Sequence, residues 1–389
     1  MSLGVLIFIA AILIVIMVHE SGHLLTAKLF GFKATKFFLG FGPTIWSFTK
    51  GETEYGLKAI PPGGFVKIVG MNPYEEVPEE DHARSYPNKP KWQRAIVLVA
   101  GSATHWVVAF LILMVTSMTL GFPTGTASNE VAALERKAPA AEAGLRPGDV
   151  ITNVGGVETS SWTSIRNYIR AHPDEVAQFT FVRDGETMTI SSRLGRAISD
   201  ERGIPVATAN PDEELRAPRA DEELVGFFGV EPRELFEKKP FIAAAADAGG
   251  KTWQATKLSV AGIGQVFGMV FDGRLWDALS GQGERAVDEG PLGLVGAGRI
   301  AGESVVTGQY LNLIGLVVGF TIFVGMMNLL PLPPLDGGHL AVVAYEAVTK
   351  REVDIRKLIP VAAAVISFFV ILFVAVLYLD IARPIKVPL

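Results

Sequence analysis

Apolar positions along the 389 residues collect in four long runs. The first, 3–18, is unbroken, yields to His19-Glu20-Ser21-Gly22-His23, and resumes over 24–30 with Lys28 as its one charge. A helix over 3–30 is about 42 Å long, more than the roughly 30 Å hydrocarbon core of a bilayer. The run 95–122 holds His105 as its one ionisable group, and the runs 311–330 and 358–379 hold no charge. The pattern predicts four transmembrane helices. No Lys or Arg precedes the first run and no small-residue cleavage site follows it, so it reads as a spanning helix rather than a signal peptide.

Between the runs the pattern changes. Residues 31–93 alternate irregularly, punctuated by Gly40, Gly42, Pro43, Gly51, Gly63 and Gly64, which predicts short β-hairpins beside the membrane. Within them 72–90 are Pro-rich and acidic and read as a surface loop. A compact α/β pattern occupies 127–194. Its stretch Ala143-Gly144-Leu145-Arg146-Pro147-Gly148-Asp149-Val150-Ile151 resembles the turn and strand of bacterial PDZ domains, and 162–169 their groove-lining helix. Asp184-Gly185, between two alternating segments, marks a hairpin. Residues 196–223 carry eight acids and little apolar content, an exposed insertion. Gly226-Phe227-Phe228-Gly229-Val230 resembles the carboxylate-binding strand of permuted PDZ domains; an ordinary core strand is the other reading. The uncharged stretch 258–271 is too short to span and predicts an interfacial helix. The chain thus divides into a first membrane half at 1–122, a PDZ-like domain at 123–240, an interfacial amphipathic segment at 241–308 and a second membrane half at 309–389.

Composition narrows the chemistry. Hydrophobic residues make up 49% and charged residues 19%, which argues against a purely soluble enzyme and against a disordered chain. A net charge of −5 argues against a nucleic-acid partner. Cysteine is absent, so disulfides, Cys-ligated zinc, iron–sulfur clusters and Cys nucleophiles are excluded together. Any metal is left to six His and the carboxylates.

Residues 19–23 fit H-E-x-x-H. On a helix, positions i and i+4 face one way, so both imidazoles reach one metal, with Glu20 beside a metal-bound water. Inside a membrane helix such groups are costly unless paired, coordinated or facing a polar cavity. Catalytic zinc takes three protein ligands and keeps one position open. Candidates for the third are His105, Asp336, His339 and Glu346. Asp336 has the best context, Asn328-Leu329-Leu330-Pro331-Leu332-Pro333-Pro334-Leu335-Asp336-Gly337-Gly338-His339, where prolines break the helix and glycines admit backbone. Irregular backbone at membrane depth belongs inside protein or along a cavity.

The two motifs together resemble the site-2 protease family of intramembrane zinc metalloproteases. That family carries H-E-x-x-H in its first core helix, N-x-x-P-x-P-x-L-D-G in its third, and a PDZ domain between the second and third. Residues 19–23 and 328–337 match, and the combination covers nearly the whole chain. The resemblance implies Zn2+ held by His19, His23 and Asp336, Glu20 as catalytic base, and Asn328 near the substrate backbone. It implies that the hairpin around Gly63, Gly64 and Phe65 pairs with an unwound substrate. The family often carries G-P-x-x-N in the second helix, where this chain has Gly101-Ser102-Ala103-Thr104-His105. His105 either takes over the hydrogen bonding of that Asn near the substrate or touches the metal site. Implied partners are single-span membrane proteins, such as anti-sigma factors or signal-peptide remnants, cut first by a site-1-type protease.

Lys and Arg cluster over 28–94 and at Lys350, Arg351, Arg356 and Lys357, which predicts that both connections are cytoplasmic. The PDZ-like domain then lies outside a bacterial plasma membrane, with the metal in the inner half of the bilayer. Two other classes fit the composition: a non-catalytic membrane PDZ scaffold and an ion-coupled transporter. Neither gives a reason for Glu20 beside two His at this spacing, and four unequal spans lack a transporter's repeated halves.

Overall fold

The computed structural model describes residues 2–72, 74–200, 205–211, 213–281 and 290–384. The chain begins with α1 (Ser2–Leu29), β1 (Ala34–Lys50), β2 (Thr53–Ile68) and α2 (Lys91–Thr119). There follow β3 (Phe122–Leu134), α3 (Pro139–Glu142), β4 (Val150–Val154), β5 (Val157–Glu158), α4 (Trp162–Ala171), β6 (Val176–Arg183) and β7 (Glu186–Arg193). Next come β8 (Gly195–Ser199), β9 (Pro205–Ala209), β10 (Glu223–Phe227) and β11 (Val230–Glu237). The chain closes with α5 (Phe241–Phe271), α6 (Arg274–Ser280), α7 (Leu294–Val306), α8 (Tyr310–Asn328), α9 (Asp336–Thr349) and α10 (Ile359–Ala382). Two compact units result, Met1–Val115 with Phe241–Leu389, and Thr116–Pro240.

In the first unit, four helical stretches are long and apolar enough to cross a membrane: Leu3–Leu29, Lys91–Thr119, Tyr310–Asn328 and Arg356–Ala382. They coincide with the four apolar runs. Small residues set their approach. Gly22 of α1 lies against the backbone of Ala100 in α2, where a side chain would not fit. Ala27, Phe32, Ile68, Tyr86, Val97, Leu98 and Val343 form a buried cluster joining α1, α2, β2 and α9.

Two expectations change in this unit and one is sharpened. Residues 34–68 form one long folded hairpin rather than several short ones, with Phe37 level with both Val66 and Tyr55, and Leu39 with both Gly64 and Leu57. The stretch 72–90 is the expected surface loop, and its described residues are tied down as a strap. Lys33 pairs with Asp81 at 2.7 Å, Lys67 with Glu75 at 2.8 Å and Arg84 with Glu52 at 2.6 Å, and Tyr86 is buried. Residues 241–308 are not one interfacial segment. Residues 258–271 are the second half of the 31-residue α5, about 46 Å long. α7 packs into the helices, its Ala297 and Ala301 buried with Phe8 of α1. Asp380 of α10 caps it, accepting the Gly293 and Gly296 N–H groups at 3.2 and 2.8 Å. Residues 282–289 of that segment lie outside the described residues.

The second unit pairs a six-stranded sheet, in the order β11-β3-β4-β6-β7 with β5 beside β4, and a three-stranded sheet, β10-β8-β9. Alternation builds its core: Ala177, Phe179 and Phe181 of β6 are buried while Val176 is exposed. α4 starts at Ser161, whose hydroxyl accepts the Ser164 N–H. The motif turn before β4 is closed by buried Asp149, which accepts the Arg146 N–H and two Arg183 N–H groups, each at 2.7 Å. Two readings change. Part of the acidic insertion is ordered sheet, because Ala197, Ile198 and Ala209 supply buried apolar positions on β8 and β9; its residues 201–204 and 212 lie outside the described residues. The run 226–230 is not one strand. Gly226 and Phe227 end β10, Phe228 stacks on Phe179 in the core at 4.1 Å, Gly229 turns with φ +71°, and Val230 begins β11. Gly226 is pressed against the Ile169 carbonyl of α4.

Candidate metal centre

His19 and His23 stand one turn apart on α1, and both are buried. The third donor arrives from α9. Residues 329–335 turn the chain sharply, and Gly337 lies against the Leu329 and Leu330 carbonyls, so Asp336 enters the first turn of α9 facing α1. His19 Nε2 and His23 Nε2 are 3.0 Å apart, and lie 3.1 and 3.3 Å from Asp336 Oδ2. Tetrahedral zinc with bonds of about 2.0–2.1 Å separates its ligand atoms by roughly 3.3 Å, so the spacing fits.

Electrostatics point the same way. His23 Nδ1–H donates to the Val97 carbonyl at 2.8 Å, and a carbonyl can only accept. A neutral His23 therefore turns a bare Nε2 lone pair toward the half-buried Asp336 carboxylate. Asp336 Oδ2 has no hydrogen-bond donor among the described residues. Electron-rich atoms this close are costly unless a cation joins them. Among the described residues His19, His23 and Asp336 form the His/Asp/Glu group able to hold a metal ion.

Glu20 lies beside this cluster. Its Oε2 accepts the Val66 N–H of β2 at 3.0 Å. A cavity of about 350 Å³ opens there, lined by His19, Glu20, His23, Gly63, Gly64, Phe65, Val66, Asn328 and Asp336 among others. The structure thus brings Asn328 and the hairpin tip to the donor set. It places His105 behind the set, with Nε2 3.0 Å from His19 Nδ1. His339 is not part of the cluster. Glu346 is engaged elsewhere, bonded to Arg94 at 3.1 Å and accepting the Val353 N–H. Residues 226–230 belong to the second unit.

Sequence reasoning missed three contributors. The Val97 carbonyl and Val66 amide are backbone groups with no residue signature. The third is the duty of Gly101, quoted in the sequence only as part of a family motif: a Cβ there would run into the His23 ring. Its signal was the small-residue stretch 101–104 in an otherwise bulky helix.

Membrane-length helices around two imidazoles and two carboxylates at one cavity fit a metal-dependent peptidase. The sequence matches Peptidase family M50 over residues 7–374, and the chain belongs to that family. It is 31% identical to the zinc metalloprotease Rip1 of Mycobacterium tuberculosis, over 98% of both chains. It is 28% identical to the metalloprotease MmpA of Caulobacter vibrioides, over 90% of this chain and 89% of that one. It is 26% identical to the zinc metalloprotease RasP of Geobacillus kaustophilus, over 91% and 92%.

Proposed function

We propose that this M50 zinc metalloprotease hydrolyses a peptide bond within or near the transmembrane segment of single-span membrane proteins. The observation that carries the reading is the convergence of His19 Nε2, His23 Nε2 and Asp336 Oδ2 on one point, with Glu20 at the same cavity. These three residues hold the zinc. Held there, zinc would lower the pKa of an attacking water and polarise the scissile carbonyl. Glu20 takes the proton of that water and passes it to the leaving amine. The Val66 N–H holds one Glu20 oxygen and leaves the other for the water. Gly63, Gly64 and Phe65 present a strand edge to the unwound substrate, whose freed backbone groups need partners in an apolar setting. Asn328 supplies a side-chain amide to the same backbone.

The helices cross the plasma membrane with the 28–94 and 350–357 connections in the cytoplasm. Exposed apolar side chains such as Ile371 and Val374 of α10 suit lipid. The second unit is a PDZ-like domain on the outer side. It admits substrates, of the anti-sigma factor or signal-peptide remnant kind, after a site-1-type protease has trimmed them.

The test is hydrolysis of a single-span peptide by the purified full chain in detergent. Chelation should stop cleavage and zinc should restore it; cleavage that survives complete zinc removal overturns the reading. Deleting 127–232 should permit cleavage of untrimmed substrate, and continued exclusion would remove the filter.

A further inference from the structure

We infer that His105 is a positioning residue for the metal. Its Nε2 lone pair accepts the Nδ1–H of His19 and so keeps His19 Nε2 bare for zinc. The inference rests on the zinc reading above.

The two histidines of α1 solve one problem differently. A ligating imidazole must carry its proton on the nitrogen that does not bind metal, and the group beside that nitrogen selects the tautomer. For His23 that group is the Val97 carbonyl, which can only accept. For His19 it is another imidazole, His105 Nε2 at 3.0 Å, which accepts in one tautomer and donates in the other. His105 is 1% exposed and is pressed by Gly325 of α8, so the ring is held in place. Its Nδ1 is buried and has no partner among the described residues.

Two proton arrangements of the pair follow. In one, His105 Nε2–H donates to His19 Nδ1, and the His19 proton sits on Nε2, 3.1 Å from Asp336 Oδ2. That arrangement leaves His105 Nδ1 bare and closes His19 to metal. In the other, His19 Nδ1–H donates to His105 Nε2, His105 carries its own proton on Nδ1, and His19 Nε2 is free. Both rings stay neutral throughout. The net change moves one proton from His19 Nε2 to His105 Nδ1, with none gained or lost. Only the second arrangement admits zinc. A residue at 105 that accepts at the Nε2 position keeps the site competent. A residue that cannot accept leaves the His19 Nδ1–H buried without a partner.

The experiment uses the full chain in detergent, labelled with 15N-histidine, before and after zinc loading. The expected spectrum of the loaded protein shows His19 and His105 both protonated on Nδ1. Zinc affinity, read by chelator competition, supplies the second measurement. His105→Gln places an amide oxygen near the former Nε2 and should bind zinc close to the parent value. His105→Leu should bind about 10–100-fold more weakly. A loaded parent with His105 protonated on Nε2 overturns the inference, as does a Leu variant that binds like the parent or a Gln variant as weak as Leu. If the Leu variant does not fold, the spectrum of the parent decides. A parent that binds no zinc overturns the peptidase reading together with this one.

Discussion

The two units differ in what they bury beside their apolar clusters and in what they expose. In the second, apolar alternation points inward: Phe179, Phe181 and Phe228 are buried, and most charges face out. In the first, His19, His23, His105, Arg94 and Glu346 are buried while Leu25 and Leu29 of α1 stand 67% and 76% exposed. Leu145 and Leu194 of the second unit report the core, whereas Leu25 and Leu29 of α1 report what surrounds the protein. Polar atoms in the first unit carry the structural information instead. The Val97 carbonyl orients His23, the Val66 amide holds Glu20, and Arg94 ties α2 to α9 through Glu346. Specific polar contacts and close backbone approach organise the first unit; buried apolar area organises the second.

Substitutions break this division in order of size. Glu20→Gln keeps the shape of the side chain and removes the proposed base. Hydrolysis should fall by about 10²–10⁴ while zinc content stays at the parent level, measured by turnover and metal analysis on one preparation. Full turnover would take Glu20 out of the chemistry. Gly101→Val puts a side chain into the His23 ring, so zinc should be lost from folded protein. Retained zinc would mean that α2 yields more readily than close packing allows. Phe179→Ala should cost the second unit about 3–5 kcal/mol in thermal or denaturant unfolding and leave zinc content unchanged. Zinc lost in that variant would end the division of labour.

Much of the first unit was legible because the membrane enforces a simple rule: long apolar runs make helices, and the few polar exceptions mark the site. Spacing singled out His19, Glu20 and His23, and punctuation favoured Asp336 among four candidates; the full set came from the family resemblance. His105 was visible as an exception, but its role was not, since a sequence cannot say which nitrogen faces which ring. The hairpin 34–68 was visible as glycine-rich alternation, yet its doubled pairing depends on long-range register. α7 escaped because small residues packing against α1 resemble a weakly amphipathic surface helix. In the second unit, the run 226–230 matched a pattern of residue types. Two glycines with different duties broke it: Gly226 for close approach to α4 and Gly229 for positive φ.

The smallest effect lies at an ion pair whose Arg is exposed, and it contrasts with one buried on both sides. Arg216 grips both Glu222 oxygens at 2.6 and 2.7 Å, and the Arg219 N–H adds a bond at 2.8 Å. These contacts hold the Glu222 carboxyl down to about 2. A depressed folded pKa means that the ionised form is the one bound by the fold. Its contribution is therefore complete above the unfolded value of about 4.3 and fades as pH falls toward about 2. Hydrogen exchange at the Arg219 amide should lose protection across that acid window, and Glu222→Gln should lose it already at neutral pH. Solvent and salt screen such a pair, so the melting temperature of the second unit should scarcely move. Arg94–Glu346 has no such screening. Glu346→Ala leaves Arg94 buried without its counter-charge, a change of about 3–5 kcal/mol. If the Glu222 change proved the larger of the two, ion pairs would not follow the same opposition of buried and exposed that separates the units.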